Sequence, residues 1–416
     1  MSLLSEFGLH IEQACQHLAG VIMHTPLQLN HNLSAQYEAN IYLKREDLQA
    51  VRSYKLRGAY NMISQLSPEE QQRGVVCASA GNHAQGFAYS CQRLGICGVV
   101  FMPQVTPRQK ILQTKRFGKD NVIIRLTGDT YDDCAQAAKS YSEKQRMTFI
   151  PPFDNTRIIE GQGTVGVELL KDLPRIDAIF VPIGGGGLSA GMGAYIKDHS
   201  PHTSIIGVEP LGAPAMKIAF ETGQPVTLDR IERFIDGAAV KRVGDLTYLI
   251  CRKVVDDICL VPEGKVCSTI LKLYNEDAIV AEPAGALSIA ALDDYADMIK
   301  GKNVVCIVSG SNNDIDRMQE IKERSLLFER LKHYFLIRFA QRPGALKDFV
   351  NKVLGPNDDI VRFEYMKKTN KDDGPALVGI ELNSSHDYDL LIQRLKEYQF
   401  DFTALAEDDD LFACIV

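Results

Sequence analysis

The chain has no basic excess: 46 Lys and Arg stand against 53 Asp and Glu, for a net charge of -7. It shows no basic stripe either, so nucleic acid is not an expected partner. No uninterrupted apolar run reaches the ~18 residues of a membrane span. The opening residues, MSLLSEFGLHIEQ, place Glu6 early and carry no basic start ahead of an apolar core, so no secretory leader is expected. Ten cysteines scattered from Cys15 to Cys414 include no C-x-x-C pair. In a chain this long they read as reduced thiols and not as a disulfide framework, and the expected compartment is the cytoplasm.

What is present is an ordinary globular composition, 45% hydrophobic and 24% charged over 416 residues, long enough for two or three domains with sizeable cores. From about Ile41 to Gly310, short apolar runs alternate with helical stretches such as Asn82 to Leu94 and Gly163 to Leu173. The candidate strands are 41–47, 74–79, 97–103, 122–128, 178–184, 204–210 and 303–310. Several are continuous apolar runs ending in Gly, Ser or Pro, as parallel strands buried on both faces require. The expected class is α/β with doubly wound sheets, whose ligands sit at the carboxyl ends of strands.

Composition changes near Asp314, where DRMQEIKERSLLFERLK reads as a charged helix and linker. Beyond it come strand 333–339, turn Arg342-Pro343-Gly344, helix ALKDFVNKVL, strand 359–365, polar turn KKTNKDDGP, strand 376–382, helix DYDLLIQRLKEY and a final apolar run. That order predicts a compact ferredoxin-like α+β unit. The expected division is a catalytic region 1–325, with a small lobe at about 45–150, and a second domain 326–416.

Five segments carry chemistry. Lys55, in Arg52-Ser53-Tyr54-Lys55-Leu56-Arg57-Gly58-Ala59, can form a Schiff base with an aldehyde if its site is partly desolvated; on that segment alone, a solvated basic turn is the plainer reading. Ser79-Ala80-Gly81-Asn82-His83-Ala84-Gln85-Gly86 follows a strand, and its small residues leave N–H groups at a helix start free to face a carboxylate. An ordinary N-cap explains it about as well, and His83 alone reads as a structural hydrogen-bonder. Gly184, Gly185, Gly186 and Gly187, followed by Leu188 and Ser189, open a helix after a strand; four glycines suit a phosphate on bare N–H groups. No Gly-Lys-Ser/Thr comes next, so this is not a Walker loop, and dinucleotide spacing is missing. Ser309, in Ser309-Gly310-Ser311-Asn312-Asn313, can meet a pyridine nitrogen with a neutral hydroxyl, leaving it largely unprotonated and favouring β-elimination over transamination; by itself the segment is a turn. Glu282, in Glu282-Pro283-Ala284-Gly285-Ala286, can lie near the site and tune a cofactor, but reads mainly as a structural acid at a helix start.

Together SYKLRGA, SAGNHAQG, GGGGL, EPAGA and SGSNND resemble, in order and over residues 20 to 315, the fold-type II pyridoxal-phosphate enzymes, and among them the threonine dehydratases. Residues 333–416, marked by FAQRPGAL, resemble the single ACT-like regulatory domain of the short biosynthetic forms. The resemblance implies pyridoxal 5'-phosphate carried on Lys55, Asn82 at the ring's phenolic oxygen, Gly184 to Leu188 around the phosphate, and Ser309 at the ring nitrogen. It places the substrate carboxylate on Ser79, Ala80, Gly81, Asn82 and His83. The implied reaction turns L-threonine into 2-oxobutanoate and ammonia for isoleucine biosynthesis, with isoleucine or valine as allosteric ligands and a homotetramer or dimer as the assembly. Serine dehydration or racemisation is the nearest alternative. A non-catalytic amino-acid sensor has no use for Lys55, and a nucleotide-dependent oxidoreductase predicts NAD affinity. Relatives of the serine racemase type bind a divalent metal after the strand at 204–210; here only Glu209 offers a carboxylate there, so no metal is expected.

Overall fold

The computed structural model describes residues 3–365, 367 and 372–405. Its contacts divide the chain into two compact units, Met1–Asp314 and Ile315–Val416. The division falls at Asp314 and not after residue 325, because the helix Met318–Phe328 packs with the strand Lys332–Ala340. The Tyr334 hydroxyl donates to Glu323 Oε1 at 2.7 Å and Lys332 pairs with the same carboxylate.

The first unit holds two sheets. The larger runs in the order Leu27–Leu29, Asn40–Arg45, Asn303–Val308, Ala178–Pro182, Ser204–Pro210 and Asp257–Val261, parallel apart from its first pair. The smaller runs Val122–Leu126, Gly98–Met102, Val75–Ala78, Thr148–Phe149, all parallel. Ala178–Pro182, Gly98–Met102 and Val75–Ala78 are buried at every residue, which is why they appear in sequence as unbroken apolar runs. Three strands escape the sequence reading, Leu27–Leu29, Thr148–Phe149 and Asp257–Val261, being short pieces in which pattern carries little information.

The second unit is the expected ferredoxin-like fold. Its antiparallel sheet has the order Asp359–Tyr365, Asp373–Glu381, Lys332–Ala340, Asp401–Ala404, with helices Ala345–Lys352 and Asp387–Glu397. Phe335, Phe349, Val378 and Leu391 are among its buried core residues. The strand Asp373–Glu381 begins earlier than the apolar run, because nine-residue pairing with Lys332–Ala340 draws in the polar Asp373. Residues 368–371 of the polar turn before it and the final apolar run lie outside the described residues.

Among the described residues no helix is long and apolar enough to cross a membrane.

Candidate active site

Lys55 opens the helix Lys55–Ser64. Glycines let two other helices press their backbones against its first turns. A Cβ on Gly86 would lie 3.0 Å from Leu56 N, one on Gly58 2.8 Å from Ile158 O, and one on Gly161 2.5 Å from Arg57 O. The helices Asn82–Leu94 and Thr156–Asp172 thereby determine where the Lys55 amine emerges. Just upstream, Arg52 holds φ at 60°, a left-handed turn uncommon for a side-chain-bearing residue. Its carbonyl accepts from Ser311 N at 2.9 Å, and Tyr54 N donates to Ser309 O at 3.2 Å. Ser53 and Gly310 also form an antiparallel bridge. The Ser309 turn is thus laced to the residue preceding Lys55.

The Lys55 Nζ donates to the Pro152 carbonyl at 3.0 Å and stands 5.9 Å from the Phe153 ring centroid. Phe153 also covers the glycine turn: a Cβ on Gly185 would fall 2.2 Å from its ring, and one on Gly187 2.4 Å from Gln162 Oε1. Gly186 has φ 90°, and the helix Gly187–His199 starts with no side-chain cap. Gly184 packs against the Ala238 backbone at 3.0 Å from its own notional Cβ, and Leu188 is buried. Ser189, in the first turn of that helix, has a buried hydroxyl without a partner. Bare N–H groups, an idle hydroxyl and a cradle that single methyl groups would fill suit a phosphate.

Burial brings the Lys55 amine down to about 8, with Glu282 opposing the shift. A sizeable neutral fraction at neutral pH makes it a nucleophile and a base.

The Ser79–His83 segment lies at the carboxyl end of Val75–Ala78. Gly81 N donates to Ser79 Oγ at 3.2 Å, and Gly81 provides no side-chain cap for the helix Asn82–Leu94. Ala80 is partly buried against the smaller sheet's core. His83 Nε2 meets the Ile150 carbonyl at 3.0 Å. Burial and the nearby Lys55 push His83 down to about 3, so its ring is a neutral structural tie and only its main-chain N–H can serve a carboxylate.

That depressed value has a thermodynamic signature. Between about pH 6.5 and 3 the unfolded chain binds a proton at His83 and the folded chain does not, so this site's stability is lost as pH falls. Glu209 and Glu282, raised to about 8 and about 7 mainly by burial, slope the other way, so a variant comparison is needed to isolate the histidine. His83→Gln is expected to gain about 2 kcal/mol relative to the parent on going from pH 7 to pH 5. Urea midpoints at the two pH values measure it; parallel pH dependences would refute it.

Glu282, which reads in sequence mainly as a structural acid, reaches two of the candidate-site segments. Its Oε1 accepts from Asn82 Nδ2 at 2.6 Å and its Oε2 from Asn312 N at 3.2 Å. A Cβ on Gly310 would lie 2.4 Å from Oε1. Burial first and Asp236 second raise its pKa, while Asn82, Lys110 and Asn312 oppose. Sequence reasoning also misses Pro152, Phe153, Gln162 and Asn312. Pro-Pro-Phe-Asp comes after a two-residue strand, too short to mark it as a strand-end site; Asn312 reads in sequence only as part of a turn. Glu209 spends both oxygens on Met216 N and Lys217 N, at 2.7 and 2.8 Å, capping the helix Ala215–Thr222. Among the described residues no group of three or more His, Cys, Asp or Glu is arranged to hold a metal.

The profile of the family described as pyridoxal-phosphate dependent enzyme matches residues 18–310, and that of the C-terminal regulatory domain of threonine dehydratase matches residues 323–415. The biosynthetic L-threonine dehydratase IlvA of Bacillus subtilis strain 168 is 58% identical over 408 residues, covering 98% of this chain and 97% of that protein. The chain belongs to the biosynthetic threonine dehydratase family. Among solved structures, the processed form of threonine deaminase isoform 2 from Solanum lycopersicum superposes with TM-score 0.75 at 40% identity, covering 78% of this chain and 88% of that one. Maize serine racemase superposes with TM-score 0.71 at 29% identity, covering 77% and 98%. Threonine dehydratase family membership brings pyridoxal phosphate as the cofactor, and the glycine cradle beside a desolvated lysine fits it.

Proposed function

We propose that this chain deaminates L-threonine to 2-oxobutanoate and ammonia, with the cofactor held on Lys55 and the 315–416 unit regulating the rate. The single observation that carries the chemistry is a half-buried lysine, lowered to about 8, beside a phenylalanine that covers the four-glycine turn. When bound, pyridoxal phosphate supplies a conjugated, electron-withdrawing ring on the substrate nitrogen, which acidifies the Cα–H.

This chain's residues do the rest. The N–H groups of Gly184 to Leu188 bind the phosphate. Ser309, buried at the end of Asn303–Val308, offers the ring nitrogen a neutral hydroxyl, and Asn82 meets the phenolic oxygen. The Ser79–His83 segment holds the substrate carboxylate at a helix start, where the dipole favours an anion; the Ser79 N–H itself is spent on Phe101 O at 3.0 Å. Lys55 Nζ takes the proton from Cα, the Cβ hydroxyl departs as water with a proton returned to it, and hydrolysis of the released enamine by a second water gives 2-oxobutanoate and ammonia. Phe153 covers the glycine turn with apolar surface and excludes water. The regulatory reading places isoleucine or valine on the second unit, in a cytoplasmic homo-oligomer, tetramer or dimer.

Turnover assays on the purified protein test this. 2-Oxobutanoate should form from threonine with kcat/KM about 10- to 200-fold above that for serine, the range one methyl group provides. Isoleucine should lower the rate or raise the KM for threonine. A higher kcat/KM for serine, or racemised serine as the main product, would give the site to the rival substrate; indifference to both isoleucine and valine would remove the regulatory assignment.

A further inference from the structure

Asn82, Glu282 and Asn312 form a closed triangle. Asn82 Nδ2 donates to Glu282 Oε1, Asn312 N donates to Glu282 Oε2, and Asn312 Nδ2 donates to Asn82 Oδ1. A second contact of Asn312 Nδ2, to the Val51 carbonyl at 3.3 Å, ties that side chain down. The two ends of a carboxamide are near isosteres, so its neighbours decide which way it faces. Here both neighbours agree. Turning Asn82 over would set Oδ1 against a carboxylate oxygen and Nδ2 against another NH2, making two like contacts in a desolvated place.

The carboxyl itself has little freedom to adjust. Glu282 N donates to Gly310 O at 3.1 Å, and notional methyl groups on Gly310 and Gly237 come within 2.4 and 3.6 Å of Oε1. One hydrogen of the Asn82 NH2 is committed to Glu282, leaving the other for a ligand. The site therefore presents a donor at Asn82, and a phenolic oxygen is an acceptor.

We propose that Glu282 is a positioning residue that sets the polarity of Asn82, holding its carboxamide so that a hydrogen, and not an oxygen, faces the phenolic oxygen of the cofactor. This rests on the proposed pairing of Asn82 with that oxygen. Glu282 touches neither substrate nor cofactor in this role; it acts through Asn82, with Asn312 as the second guide.

The test uses the full-length holoenzyme and reads the visible absorbance band of the bound cofactor, its Kd, and kcat and KM separately. Glu282→Gln keeps the size but offers Asn82 either an oxygen or an NH2, so the orientation preference is lost. The band should shift, cofactor Kd should rise, and kcat should fall roughly 10-fold with little change in KM. In an Asn82→Ala background the Glu282→Gln change should move the band no further. Asn312→Ala keeps the carboxylate and should shift the band the same way by less. If Asn82→Ala moves the band but Glu282→Gln and Asn312→Ala do not, the positioning role is overturned while Asn82's assignment survives. If Asn82→Ala leaves the band in place, the assignment itself has failed and the proposal falls with it. Additive band shifts in the double variant also overturn it. Should Glu282→Gln not fold, Asn312→Ala decides alone: a shift supports the role and no shift overturns it.

Discussion

Lys55→Ala is expected to reduce threonine turnover by at least roughly 10⁴-fold, because the proposed mechanism makes one side chain both covalent anchor and base. The purified variant should also lose the imine absorbance that the lysine gives the bound cofactor. The structure supports a large effect over a small one. The amine is desolvated enough to sit at about 8. The nearby His83 ring is tied to Ile150 O and pushed down to about 3, so it is poorly suited to take over as base. Full turnover with an unchanged imine spectrum in Lys55→Ala would remove the whole catalytic assignment.

The second large effect falls on stability. Arg57, wholly buried, donates from Nε and Nη2 to Glu46 at 2.8 and 2.7 Å, from Nη1 and Nη2 to Glu168 at 2.7 and 2.9 Å, and from Nη1 to Thr164 Oγ1 at 3.0 Å. Lys44, equally buried, adds a bond to Glu168 at 2.6 Å. Burial works against the Arg57 charge, but Glu46 and Glu168 together hold its pKa above the ordinary value. Burial likewise works against the Glu168 carboxylate, yet Arg57 and Lys44 keep its pKa below the usual range. Arg57→Met leaves two desolvated carboxylates, Glu168 held by Lys44 and Glu46 by the Thr25 hydroxyl, and should cost about 3–5 kcal/mol, the usual penalty for breaking a buried pair from one side. Arg57→Lys should recover only part of this, since one ammonium cannot span two carboxylates in planar forks. Urea unfolding of the full chain measures both; a loss under about 1 kcal/mol for Arg57→Met would show the network to be energetically idle.

Much of the site was legible in the chain because its parts are local. A continuous apolar run ending in small residues announces a buried parallel strand and the helix start after it, as at Val75–Ala78 before Ser79 and Ala178–Pro182 before Gly184. Glycines in a row announce close backbone approach, and the Gly185 and Gly187 contacts with Phe153 and Gln162 bear this out. Glu282 reads mainly as structural for the opposite reason: an acid before a helical proline is common, and its link to Asn82 spans 200 residues. Arg57 stands in the sequence only as part of a motif, since nothing nearby announces that Glu46 and Glu168 will surround it.

The sequence by itself determined the α/β class, the ferredoxin-like tail, the lysine and the order of glycine and serine turns. These depend on periodicity and on residues whose backbone needs are written into a few neighbouring positions. Only the tertiary structure decided which carboxylates are desolvated, which end of the Asn82 carboxamide meets Glu282, and that Phe153 covers the glycine turn. Charge burial and amide orientation are settled by whatever packs alongside, and those partners arrive from strands and helices far apart along the chain.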